Sequence, residues 1–501
     1  MAISKIMGTK PRIAWLLVSV LALGCGGKAA PKQSGPELPA AAREYPALRY
    51  VPSRPTYAIA AKTVRAAQRG LADLADSFGL VLDIDRGRLG GELRALFGVD
   101  PFSPEELAAV GIDLEGSATV FSEATDPTFV VHLAAPTETA AFLDKQRARA
   151  GQTQSVMVDG HEIFSAEVVG AVGVSWTIAD DWLWVHFTFG TKRDDTSWFT
   201  ASKRPGAPAW TTSWDWARAI ATSPSVVGFL DPKALLGKLA TKVTSARACV
   251  QLLEPVERVA VALSASSEGN GGASGKFAFE LGASSQVIAR AVLPPPDGWV
   301  AASERAPLAA QWNLDLPVVA TALGPCAKLF DVDLASFTGY GARTARVILR
   351  SFDPSGPSGT GALALDLANK RYFASRLDDI PLRSRFEDKK QFGPYAGRHL
   401  SIPMVPDVDY VLTDSIALAA IGDGILARLV GTGKPGAAAP IVAVDVLPAG
   451  LSTAAWTSLF ELADIPGARR IPEALSHWRD IHLGATLEGT RLVVEASGNR
   501  R

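Results

Sequence analysis

The feature that most constrains this chain is a cassette that recurs along it. A short apolar strand leads into a helix start, and a strand, a turn and a second strand follow. The leading strands are Tyr57-Ala58-Ile59-Ala60, Val226-Val227-Gly228-Phe229-Leu230, Ala309-Ala310-Gln311-Trp312 and Ile441-Val442-Ala443-Val444. The last three are followed by Pro232, Pro317 and Pro448. Proline is tolerated in a first helical turn because its missing N–H would have no partner there. The strand pairs are 118–122 with 128–133, 258–264 with 276–281, 346–352 with 362–367, and 480–487 with 490–496. Asp126-Pro127, Asp353-Pro354, Glu488-Gly489 and a Gly/Ser run supply their turns. Alternation bounded by turn residues is the signature of paired strands.

A further hairpin follows only the first and third cassettes. One copy runs Gly160-His161-Glu162-Ile163-Phe164, then 174–178 and 182–187; the other runs Gly397-Arg398-His399-Leu400-Ser401-Ile402, then 410–413 and 416–421. His161 and His399 take matching places in this reading. The order of parts in 44–297 then repeats in 298–501, with Pro294-Pro295-Pro296-Asp297-Gly298 at the join. The expected fold is α+β, as two duplicated halves, each an antiparallel sheet packed with helices on one face.

The N-terminus has a different character. Lys5, Lys10 and Arg12 precede an apolar run from Ile13 to Gly24, which ends in Leu21-Ala22-Leu23-Gly24-Cys25. That run has the length of a signal-peptide core and is short for a bilayer span. Residues 1–25 resemble the type II signal peptide and lipobox of bacterial lipoproteins. That family usually carries Leu where this chain has Ala22, and Leu21 and Leu23 flank it. The resemblance implies that Cys25 becomes the first mature residue and carries the lipid. Residues 26–43 are small, polar and proline-bearing, which suits a flexible tether. Gly26 after the cysteine resembles cargo sent on to the outer membrane. The implied location is the cell envelope, lipid-anchored on the periplasmic face or the cell surface. The body resembles large bacterial lipoproteins of unassigned role.

A mature part of about 475 residues is ample for two self-sufficient cores. Net charge is −1 and no long run of one sign occurs, so no nucleic-acid partner is expected. Cys249 and Cys326 match no metal-ligand spacing; a disulfide between them and two buried thiols both stay open.

Few motifs point to chemistry. Gly422-Asp423-Gly424 follows a strand, and Asp445 lies further on, as in a dinucleotide fingerprint. That fingerprint needs a parallel βαβ unit, whereas 416–421 reads as half of a hairpin. Lys434 in Gly431-Thr432-Gly433-Lys434-Pro435 lacks the Ser or Thr of a phosphate loop. No Gly-x-Ser-x-Gly and no His-Glu-x-x-His occurs. The histidines are His132, His161, His186, His399, His477 and His482, several of them alternating with apolar residues in strands. Asp180, Asp181 and Asp414 read as turn residues.

Seven of the twelve tryptophans fall between 176 and 216: Trp176, Trp182, Trp184, Trp198, Trp210, Trp214 and Trp216. Buried, they fill a core. Exposed, they form a binding surface for a protein, glycan or lipid partner. The expected function is a membrane-anchored, non-enzymatic binding or scaffolding protein with no metal or cofactor. Two alternatives stand beside it. One is a carrier of an apolar ligand or lipid between the halves. The other is a hydrolase with a dispersed site, which would show a titratable cluster in one cleft.

Overall fold

The computed structural model describes residues 40–78, 86–150, 153–169, 172–189, 196–235, 256–265, 272–282, 285–293, 306–315, 318, 342–355, 359–367, 385–403, 406–422, 424–429, 440–462 and 471–501. Cys25, Cys249, Cys326 and the 431–435 loop lie outside these residues. The chain divides into two compact units. One takes residues up to 238 with 258–267 and 275–278; the other takes 239–257, 268–274 and 279–501.

The first ten strands are β1 (Tyr57–Ala61), β2 (Ala118–Ser122), β3 (Thr128–His132), β4 (Thr153–Val158), β5 (His161–Val169), β6 (Val172–Ala179), β7 (Trp182–Phe189), β8 (Val226–Leu230), β9 (Arg258–Ala265) and β10 (Gly272–Glu280). Their pairing order is β4-β5-β6-β7-β3-β2-β1-β8-β9-β10. The next ten are β11 (Leu308–Asn313), β12 (Ala342–Phe352), β13 (Gly359–Leu367), β14 (Glu387–Phe392), β15 (Tyr395–Leu400), β16 (Val408–Leu412), β17 (Ile416–Ile421), β18 (Val442–Val446), β19 (Trp478–Glu488) and β20 (Arg491–Arg500). They pair in the order β14-β15-β16-β17-β13-β12-β11-β18-β19-β20. Adding ten to each strand number of the first order gives the second. Every register given is antiparallel, so the fold is mixed, with antiparallel sheet throughout.

In the first sheet helices cover both faces, which corrects the expectation of one. Neighbouring strand residues point to opposite faces. Leu183 joins Ala118, Val131 and Leu133 in a cluster closed by Leu143, from the helix Pro136–Ala150. Its neighbour Trp184 faces the other way and meets Phe199 of the helix Ser197–Lys203, ring centres 5.6 Å apart. The single-face expectation fails because β2 is buried at all five positions and offers no side to solvent.

The end of the segment read as tether is also corrected. Residues 40–43 belong to a helix, Ala40–Glu44, with Ala41 and Ala42 buried. A 3₁₀ turn, Pro46–Tyr50, follows with proline at its start. Tyr45, Leu48 and Val51 are buried, and the Tyr45 hydroxyl donates to the Pro224 carbonyl at 2.7 Å. Glu44 closes the clamp by accepting from Lys62 at 2.6 Å and Arg218 at 2.7 Å.

Candidate functional site

The tryptophan cluster is a core. All seven of its tryptophans are buried, and Trp184 and Trp214 have no exposure. This corrects the reading of them as a binding surface. Strand register explains it: Trp182 and Trp184 share the face of β7 that also carries His186. Tyr50 lies edge-on to Trp182 and Trp184, His132 edge-on to Trp182, and Trp198 is stacked flat on His186 at 4.9 Å. Tyr45 meets Trp214, and Trp210 stacks on Phe229. Trp176 faces the other way, against Phe164. Aromatic pairs at these distances add to the area they bury.

The aspartates resolve into turns. Asp180 and Asp181 are the two residues joining β6 to β7, with φ of 50° and 62°. Two positive φ values define the hairpin turn that matches sheet twist, and aspartate tolerates them. Asp414 lies in the turn in which Thr413 N–H donates to the Ile416 carbonyl at 2.8 Å.

The dinucleotide fingerprint is absent as a structure. β17 is antiparallel to both neighbours, so the parallel βαβ unit that the fingerprint needs is not formed. Asp445 instead faces His482, whose Nδ1 lies 2.7 Å from its carboxylate. His132 makes the same bond to Asp113 at 3.0 Å. His161 packs edge-on against Phe199, and the backbone carbonyl of His477 accepts from Arg501.

The pocket with convergent chemistry lies in the second sheet. It holds about 490 Å³ and opens at the β12–β13 hairpin, beside β15, β16 and the end of β17. Ser351, Phe352, Asp353, Gly359 and Thr360 form one wall; His399, Pro406, Asp407 and Asp409 form the other, with Ile421 and Gly422 between. Gly422 has φ of 108°, and a Cβ there would press on Ile425 and Thr360, so glycine shapes the pocket edge.

At its centre is Asp409, with 5% side-chain exposure. Both of its oxygens accept from Lys390 Nζ at 3.1 Å. One also lies 2.7 Å from His399 Nδ1. An ionised carboxylate only accepts, so Nδ1 carries a proton toward Asp409, which holds the ring in place. The other ring nitrogen, Nε2, lies 3.9 Å from Asp407 Oδ2, too far for a direct hydrogen bond. On the opposite wall the Ser351 and Thr360 hydroxyls bond each other at 2.7 Å, and Asp353 accepts from Ser355. Among the described lining residues there is no lysine or arginine. One row along the same face, burial pushes the Arg346 guanidinium down to about 10, still charged at neutral pH.

Register shows how the two sheets differ here. His399, Asp409, Ala420, Ala362 and Ile348 form one row across β15, β16, β17, β13 and β12. Counted from the two-residue turn before β5, the matching row is Ser165, Ser175, His186, Thr128 and Phe121. His399 therefore matches Ser165, and His161 matches Tyr395, which corrects the shared histidine place read from sequence. In the first sheet the row is uncharged at its outer end and capped by Trp198; in the second it carries the charged dyad and opens to a pocket.

Sequence reasoning singled out His399 and missed Lys390, Asp407 and Asp409. One signal was present: Asp409 interrupts the apolar strand Val408-Asp409-Tyr410-Val411-Leu412. An acid on the buried face of a strand requires a partner. Among the described residues no cluster of three or more His, Cys, Asp or Glu side chains could hold a metal ion. No family model matches the chain, and no curated protein is similar to it in sequence.

Proposed function

We propose that this chain is a lipid-anchored envelope protein that binds a small ligand without transforming it, and that the second half holds the ligand. The pocket beside His399 and Asp409 carries this reading. It is concave and combines apolar with convergent polar groups, as small-molecule sites do. The anchor rests on Leu21-Ala22-Leu23-Gly24-Cys25. Among the described residues no helix is long and apolar enough to cross a membrane, so the lipid on Cys25 would be the attachment.

We also propose that the halves are duplicates, supported by the identical strand order. In that view the first half places Trp198 over the row that carries His399 and Asp409 in the second half.

The hydrolase reading draws on the same cluster, because an Asp-oriented histidine is the usual general base. The hydroxyls of Ser351 and Thr360 bond each other on the wall opposite His399, so neither is held by the histidine as a nucleophile would be. Binding is the simpler use of the geometry.

Native mass spectrometry of the mature chain, purified gently from its own envelope, tests the proposal. A small bound mass that disappears in the pocket-filling variant Thr360→Trp supports it. A bare wild-type mass, or an adduct that survives Thr360→Trp, contradicts it.

A further inference from the structure

We infer that two copies of this chain associate through β4, the outer strand of the first sheet, laid antiparallel to its counterpart about Val156. β4 belongs to the first half, and this use of it is independent of the pocket. Among the described residues β4 pairs with β5 alone, so one row of its backbone N–H and C=O groups is left for another strand. Edge strands that stay unpaired are blunted by charge, proline or a bulge. The equivalent strand of the second sheet, β14, carries Glu387, Asp388, Lys389 and Lys390. β4 reads Thr-Gln-Ser-Val-Met-Val, with no charge and no proline, and its pairing with β5 runs without a break in register. Val156 is 46% exposed and Met157 64%, which makes these neighbours the two most exposed large apolar residues among those described.

The turn between β4 and β5 is Asp159-Gly160, with φ of 50° and 82°. In a two-residue hairpin the pair flanking the turn, Val158 with His161, exchanges backbone hydrogen bonds, and alternate pairs do the same. Val158, Val156 and Gln154 therefore turn their backbone groups toward β5, and Met157, Ser155 and Thr153 turn theirs outward. A mate must pair with this second set. Centred on Val156, Ser155 of each copy meets Met157 of the other as a hydrogen-bonded pair. Val156 then meets its own counterpart as a close, non-hydrogen-bonded pair. Residues 154–158 overlap, and both exposed apolar side chains are covered. A centre on Ser155 would instead set Val156 against Gln154 and Met157 against Thr153, leaving each apolar side chain on a polar one. A charged segment would find no opposite charge on β4, whereas a second copy brings a strand that needs none. So short an edge covers less than the roughly 1,600 Å² of a standard interface, so the pair is weak and reversible.

Disulfide trapping in the full mature chain tests this, with the wild type as the background for its own cysteines. A non-hydrogen-bonded pair brings its Cα atoms to about 4.5 Å, inside disulfide range. Ser155 and its counterpart sit two places off register, beyond the roughly 7 Å that a disulfide can bridge. Val156→Cys should therefore yield a covalent dimer on mild oxidation, roughly tenfold more than Ser155→Cys. Both side chains are exposed, so both variants should melt with the wild type, which shows that the comparison is between folded chains. Equal linking by the two variants marks random collision and overturns the inference. An excess from Ser155→Cys overturns the centre on Val156. No dimer above background from either variant overturns the association itself.

Discussion

At the scale of single residues, Asp409 joins stability to function. It is buried, and two cationic or donor groups depend on it. Asp409→Asn should cost about 2 kcal/mol, since it strands His399 and a half-exposed Lys390 rather than a fully buried pair. Urea unfolding would measure this, and an unchanged midpoint would show that the network contributes nothing. The buried tryptophans give a sharper contrast. Trp184 Nε1 donates to Ser202 Oγ at 3.1 Å, while Trp214 Nε1 is buried with no hydrogen-bond partner among the described residues. Trp214→Phe removes an unmet donor and should cost less than about 1 kcal/mol, whereas Trp184→Phe should cost about 2 kcal/mol. Equal costs would mean that the indole nitrogens play no part. His399 could be picked out from sequence because histidine is scarce here. Asp407 and Asp409 could not, because their role depends on strands that meet only through register.

At the scale of elements, the legible strands were those with an apolar face. β1, β8, β11 and β18 stand out as short apolar runs, and the hairpins as alternation between turns. The strands that escaped are the sheet edges, β4 and β14. Both pair on one side only. β14 reads Glu-Asp-Lys-Lys-Gln-Phe and is mostly exposed, so it has no apolar period to detect. Charge on an edge strand discourages pairing with other chains. It also hid Lys390, which β14 delivers to Asp409. The N-terminal clamp carries its own pH signature. Burial pushes the Tyr50 phenol up to about 12 and raises Tyr45 and Tyr57 further. In the unfolded chain these phenols ionise near 10, so above that pH the unfolded state sheds protons that the native state keeps. Their contribution to stability is complete below pH 10 and declines as pH rises toward 12. Urea midpoints at pH 9 and pH 11.5 should therefore fall steeply, by up to about 1.4 kcal/mol per phenol per pH unit. A flat response would refute the burial of these rings.

At the scale of the whole molecule, the succession of hairpins along the chain was readable from alternation between turns, whereas the order in which the strands pair was not. What could not be read either was which way the tryptophans face. Tryptophan density pointed to the first half, and the structure turns those rings inward, Trp184 onto Phe199 and Trp182 onto Tyr50 and His132. A site hypothesis built on aromatic count thus pointed to a packed core. The anchor makes a separate prediction: Cys25→Ser should move the protein from the membrane fraction to the soluble one with its melting temperature unchanged. Retention in the membrane would argue against lipid attachment.

The most direct test of the central claim, that the second half carries the binding site, is histidine-selective ring NMR of the mature chain, recorded as purified from its own envelope with its small bound mass and again after that mass is dialysed away. The account predicts that the ring resonances of His399 differ between the two states, while those of His132, His186 and His482 stay in place. Movement of His186 beneath Trp198, or no movement at His399, would contradict it.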